Sequence, residues 1–160
     1  MAIKNYQKII NEIIEKSFPE LGGKVNIKLS SLKVGSMLAS KKFKGFQIMI
    51  DVKKYSGASD AQLIGALAHE LVHFENYSGI FGWLRYWVEN FAFYFSKFLM
   101  AKFEKNTDEE TIRRGYAKEL YLSRVFRLKN ISKKYAFQWA KCYLSPEEIK
   151  SYAQEIGRWQ

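Results

Sequence analysis

Both histidines of this 160-residue chain fall in one pentapeptide, His69-Glu70-Leu71-Val72-His73. On a helix, positions i and i+4 lie about 40° apart around the axis and about 6 Å along it, so both imidazoles project from one face. Two ring nitrogens so placed reach a single Zn²⁺ at about 2.0–2.1 Å. Glu70 sits about 100° further round, beside the ion, where it can take a proton from a zinc-bound water. Random placement of two histidines and a glutamate gives this pattern on the order of once in a thousand trials. A catalytic zinc needs a third protein ligand and a fourth position left to water. No third histidine exists, and Asn76 and Gly79 stand where a longer H-E-x-x-H-x-x-G-x-x-H motif would need its glycine and last histidine. Glu75 follows His73 too closely on the same helix to curl back. A carboxylate from further downstream is required, either Glu89 or Glu104.

The elements that must position these groups are legible from periodicity. Ile3, Tyr6, Ile9, Ile10, Ile13 and Ile14 predict an amphipathic helix over residues 2–17, ended by Pro19 and Gly22-Gly23. Val25, Ile27 and Leu29 alternate with Asn26, Lys28 and Ser30, and Phe46, Ile48, Ile50 and Val52 with Gln47, Met49 and Asp51, so two half-buried strands are expected, paired as a β-hairpin across a long, turn-rich loop. Ser59 and Gln62 form a capping box that starts a helix near Asp60, running to about Tyr77 and carrying both histidines. Residues 83–103 predict a second, densely aromatic helix, and residues 108–128 a third, with Thr107 and Glu110 resembling its capping box. A short aromatic segment (Tyr135, Phe137, Trp139) precedes a last helix announced by Ser145-Pro146-Glu147-Glu148. The fold class is α+β, with residues 1–160 forming one domain.

His69-Glu70-x-x-His73 followed by Glu104-Lys105-Asn106-Thr107-Asp108 resembles the gluzincin metallopeptidases. More narrowly, it is similar to the branch whose second motif is E-x-x-x-D: the CAAX endopeptidases, the heat-shock membrane proteases and the small soluble minigluzincins. The resemblance covers about residues 43–128, with 130–160 as a C-terminal extension. It implies a zincin-like fold, in which the N-terminal helix and β-hairpin pack on an active-site helix and a glutamate helix. It also implies a zinc-dependent peptidase acting on peptides or proteins, with His69, His73 and Glu104 as zinc ligands and Glu70 as general base and acid. Asp108 would brace a ligand histidine, fixing its tautomer and orientation. In such folds the strand before the active-site helix, here 43–52, forms the rim of the cleft and pairs with extended substrate. Tyr116, Tyr121 and Arg114 are candidate oxyanion partners.

Charge and composition narrow the remaining classes. The net charge of +10 is unevenly distributed: residues 1–57 and 111–160 each carry +7, whereas residues 58–110 carry −4. The basic flanks suit a solvated exterior or an anionic surface. No nucleic-acid-binding fingerprint accompanies them, and no nucleic-acid partner is expected. One cysteine, Cys142, excludes an intrachain disulfide and any multi-cysteine metal site. The opening residues carry no signal-like apolar run, so a cytoplasmic location is expected. The aromatic segment 81–103 has two readings, burial in the core or peripheral contact with a lipid surface. Arg85, Glu89 and Ser96 share one narrow stripe on it, leaving a broad apolar face. An alternative to an active peptidase is a latent or non-catalytic zincin-like module that binds protein or membrane, with zinc merely structural. Separately, segment 130–160 is long enough to fold over the cleft and keep an enzyme latent, with Cys142 near the metal.

Overall fold

The computed structural model describes residues 5–32, 35–79 and 81–159, with the side chains of Phe93, Lys133, Lys134 and Gln138 outside that description. The N-terminal helix α1 spans Tyr6–Ser17, capped by the Asn5 side chain, which accepts from the Lys8 N–H at 3.0 Å. Its expected first turn, with Ile3, lies outside the described residues. Tyr6, Ile10, Ile13 and Ile14 form its buried face, because apolar groups at this spacing leave water only on one side of a helix.

Three strands follow: β1 (Val25–Leu29), β2 (Met37–Lys42) and β3 (Gly45–Ile50). The sheet order is β1-β3-β2, with β1 parallel to β3 and β2 antiparallel to it. The expected hairpin between the first and last of these strands is therefore replaced by a mixed sheet. The turn-rich stretch contains β2, whose Ser40 and two lysines hid its alternation. Phe46, Ile48 and Ile50 are buried on one face of β3. Because both edges of β3 are paired, it cannot accept a peptide as an added strand, contrary to the rim role expected for 43–52.

The central helix α2 (Asp60–Tyr77) begins where the sequence placed it. The Ser59 side chain accepts from the Gln62 N–H at 3.3 Å, and Gln62 accepts from the Ser59 N–H at 2.8 Å. It is buried nearly all round, as expected of a helix packed on several sides. It joins α1, the sheet and Tyr116 in the main core.

The predicted aromatic helix 83–103 is broken. Helix α3 (Gly82–Phe95) stops at Ser96, whose hydroxyl accepts from the Leu99 N–H at 3.3 Å and starts α4 (Lys97–Arg113). The Thr107–Glu110 pair caps nothing: Thr107 is inside α4 and its hydroxyl donates to the Phe103 carbonyl at 2.9 Å. Glu104 and Asp108 consequently lie one turn apart on a single helix. Helices α5 (Ala117–Asn130), α6 (Lys133–Cys142) and α7 (Pro146–Glu155) complete the chain. The aromatic segment near Tyr135 is thus helical. Ile112, Ala117, Leu120, Leu144, Ile149 and Ala153 close a second core, which makes the C-terminal extension an integral part of the fold.

Helix α3 is amphipathic in the inverted sense. Its polar stripe carries buried Glu89, while Leu84, Trp87, Phe91, Tyr94 and Phe95 are 60–75% exposed. The core reading of the aromatic segment is overturned, because Glu89 has charged and hydrogen-bonding partners inside and the helix cannot bury both sides.

Candidate metal centre

Helix α2 presents His69 and His73 to α4, and Glu104 reaches both. His69 Nε2 lies 3.1 Å from Glu104 Oε2, and His73 Nε2 lies 3.6 Å from the same oxygen. One donor atom from each of the three residues falls within 4.8 Å of the others. Four ligands around an ion at about 2.0–2.1 Å stand about 3.3 Å apart. The observed spacings straddle that value, and two imidazoles with one carboxylate are a donor set suited to zinc. The three side chains can therefore hold a metal ion.

Each histidine is gripped on its other nitrogen by a different carboxylate. His69 Nδ1–H donates to Asp108 Oδ1 at 2.8 Å. His73 Nδ1 lies 3.4 Å from Glu89 Oε2, a charge contact without hydrogen-bond alignment. Asp108 is fully buried and also accepts from Arg124 and from the Leu144 N–H, the latter at 3.0 Å. Glu89 accepts from the Tyr77 hydroxyl at 2.6 Å and from Arg85 Nε at 3.0 Å. Carboxylates behind ligand imidazoles fix ring orientation and leave Nε2 free to bind a metal. Of the two carboxylates left open, Glu104 is the one in the converging group, and Glu89 lies behind His73.

Electrostatics follow from the crowding of charge in a dry site. Burial opposes charge on both histidines, yet the adjoining carboxylates prevail: His69 is raised by Asp108 and Glu104, and His73 well above its ordinary value by Glu104 and Glu89. Burial likewise opposes ionisation of Glu104, but hydrogen bonds from the two imidazoles hold it far below the usual carboxylate range. Asp108 is also lowered, against burial, chiefly by the Arg124 charge. Glu70 is raised, first by burial and further by Glu104, with the histidines opposing. Its carboxylate is held by no hydrogen bond among the described residues.

Two residues the sequence reading missed shape this centre. Arg124 of α5 is buried, donates to Asp108, and has its guanidinium carbon 4.5 Å from the centre of the Tyr143 ring. Tyr143 lies against His69, ring centroids 5.8 Å apart, and the Trp139 ring is tilted against Tyr143 at 4.9 Å. Gly65 makes the first arrangement possible. A Cβ there would lie 2.6 Å from Leu120 N, and closer still to the Glu119 carbonyl, so only glycine admits this approach of α5 to α2. A small residue one turn before the first histidine was the available signal; which helix it admits was not readable.

The suggested oxyanion partners are engaged elsewhere. Arg114 pairs with Glu75, Glu20 and the Ser17 carbonyl, Tyr116 donates to the Ser17 hydroxyl at 2.9 Å, and Tyr121 packs on Trp159. Cys142 is buried, and among the described residues it is not part of the converging group. A cavity of about 510 Å³ is lined by Glu75, Arg85, Asn106, Glu109, Glu110 and Arg113 among others. It contains none of the three candidate ligands. Among the described residues, no helix is long and apolar enough to cross a membrane. No family model, no curated protein and no solved structure matches the chain.

Proposed function

We propose that this chain is a zinc-dependent peptidase of zincin-like type, with His69, His73 and Glu104 as the zinc ligands. The observation that carries the reading is the convergence of two Nε2 atoms and one Oε2 atom beside Glu70, the next residue round the same helix. When bound, zinc supplies Lewis acidity, lowering the pKa of water and polarising a carbonyl. Glu70, unheld by hydrogen bonds and with its affinity for protons raised by burial, takes the water's proton on its carboxylate and passes it to the leaving amine nitrogen. Asp108, fixed by Arg124 and the Leu144 N–H, keeps the proton of His69 on Nδ1. Glu89 holds His73 from the opposite side. Extended peptide has an unpaired strand edge available on β2.

Glu70→Gln is the decisive variant. It should bind zinc in the same ratio as the parent, while cleavage of a denatured protein falls by several orders of magnitude. Cleavage at the parental rate in that variant removes the proposed chemistry.

A second reading, the same centre in a latent state, is supported by its closure. The side chains of His69, His73 and Glu104 are only 5, 10 and 16% exposed, and Tyr143 lies on His69. Under this reading Tyr143→Ala cleaves denatured protein at least tenfold faster than the parent. An equal or lower rate at equal zinc content excludes Tyr143 as the cover.

A further inference from the structure

The outward face of α3 lacks the chemistry of a water-exposed surface. Leu84, Trp87, Val88, Phe91 and Phe95 fall within an arc of about 100°, and each is 44–74% exposed. Phe98, in the first turn of α4 just past the break at Ser96, is 79% exposed as well. With aromatic side chains of roughly 150–250 Å² each, the exposed surface of these six residues comes to about 700–800 Å². The largest such patch on an ordinary monomer is about 300–600 Å².

Charge identifies what covers it. Between residues 78 and 103 the one acidic residue is Glu89, which is buried against Tyr77 and Arg85. The exposed charges of the stretch are basic, Lys97 and Lys102 among them. The turn between β2 and β3 adds Lys42-Phe43-Lys44, with Phe43 93% exposed. This turn adjoins the start of α3, since the Lys41 ammonium lies 5.1 Å over the Trp83 ring and donates to the Tyr77 carbonyl. A broad aromatic face, free of exposed carboxylates and edged by lysines, therefore spans two elements distant in sequence.

We propose that this face docks on the headgroup region of an anionic lipid bilayer. Tryptophan and phenylalanine rings seat at the boundary between headgroups and acyl chains, while lysine stems carry their ammonium groups up to the phosphates. An anionic surface supplies the countercharge that the face lacks. A second copy of this chain does not, because it brings another lysine-edged, carboxylate-free face and another net charge of +10. The inference goes beyond the peptidase reading and does not rest on it. It does set the metal centre beside the membrane, since Glu89 on the inner side of the same helix contacts His73.

The test is co-sedimentation of the full chain with vesicles of 70% phosphatidylcholine and 30% phosphatidylserine, against pure phosphatidylcholine, at low and high salt. The chain should bind the anionic vesicles at least tenfold more tightly, and salt should weaken that binding. A Trp87→Ser, Phe91→Ser, Phe95→Ser variant should lose binding to both vesicles with its circular dichroism unchanged. A Lys42→Glu, Lys44→Glu, Lys97→Glu variant should lose the preference for anionic lipid. Absence of binding, or equal binding to the two compositions, overturns the proposal. So does a dimer in sedimentation equilibrium that the serine variant abolishes while the parent ignores vesicles, because a second copy is then the occupant.

Discussion

Replacing Gly65 with alanine tests the placement of the metal centre without touching it. An added Cβ would lie 2.6 Å from Leu120 N and nearer the Glu119 carbonyl, whereas distances under 3.0 Å are essentially never seen. The obstacle is backbone, so no side chain can rotate away, and the two helices must part by roughly 1 Å against a close-packed interior. Overpacking of this kind costs about 1–3 kcal/mol. Alanine's higher helix propensity offsets this by up to about 1 kcal/mol. Because α5 also carries Arg124 into contact with Asp108, separation weakens a buried ion pair, and breaking one by losing a partner costs about 3–5 kcal/mol. A net loss of about 2–4 kcal/mol is expected, a fall in the urea midpoint of about 1–2 M for a slope near 2 kcal/mol/M. Gly57→Ala is the control: a Cβ there meets nothing within 4 Å, and it should be neutral or slightly stabilising. Urea unfolding followed by circular dichroism, with zinc affinity measured in parallel, reads both effects. If Gly65→Ala is as stable as the parent, α5 does not cross α2 at this point and the placement of Arg124 is wrong.

Asp108→Asn retains an acceptor for His69 but leaves the Arg124 charge buried and unpaired, so stability should fall by about 3–5 kcal/mol and zinc affinity by about 10–100-fold; a competing-chelator titration beside a thermal melt measures both, and losses below a tenth of these values contradict the network. Zinc affinity should also depend steeply on pH. The raised histidines carry protons in the metal-free protein to above pH 6.5, and zinc must expel them, so log affinity rises by about one per pH unit for each proton displaced. For the metal-free chain the sign is opposite: the stability these histidines contribute is complete below their unfolded value near 6.5 and is lost as pH rises through the folded value. An affinity flat between pH 6 and 8 refutes this linkage.

The paired histidines were legible because a helix converts a spacing of four residues into a shared face, and the capping box at Ser59 announced that helix locally. The expectations that failed did so where local signals conflicted. Thr107 and Glu110 look like a cap, yet Thr107 bonds back to Phe103 inside α4, because tertiary packing favours an unbroken helix that buries Asp108. The strand Met37–Lys42 carries no clear alternation, since its edge position leaves it only partly buried.

From the sequence alone came the α+β class, the histidine-bearing helix and the carboxylates within reach. Spacing along the chain fixes what one helix presents, but not what another helix brings to it. Assigning Glu104 to the converging oxygen and Glu89 to the far side of His73 required knowing that α3 ends at Ser96 and α4 turns back along α2. Arg124 and Tyr143 entered only through contacts with residues 55 and 74 positions earlier in the chain. The outward turn of the aromatic face had the same origin: α3 can satisfy either its one carboxylate or its rings in the interior, and the partners waiting for Glu89 decided which.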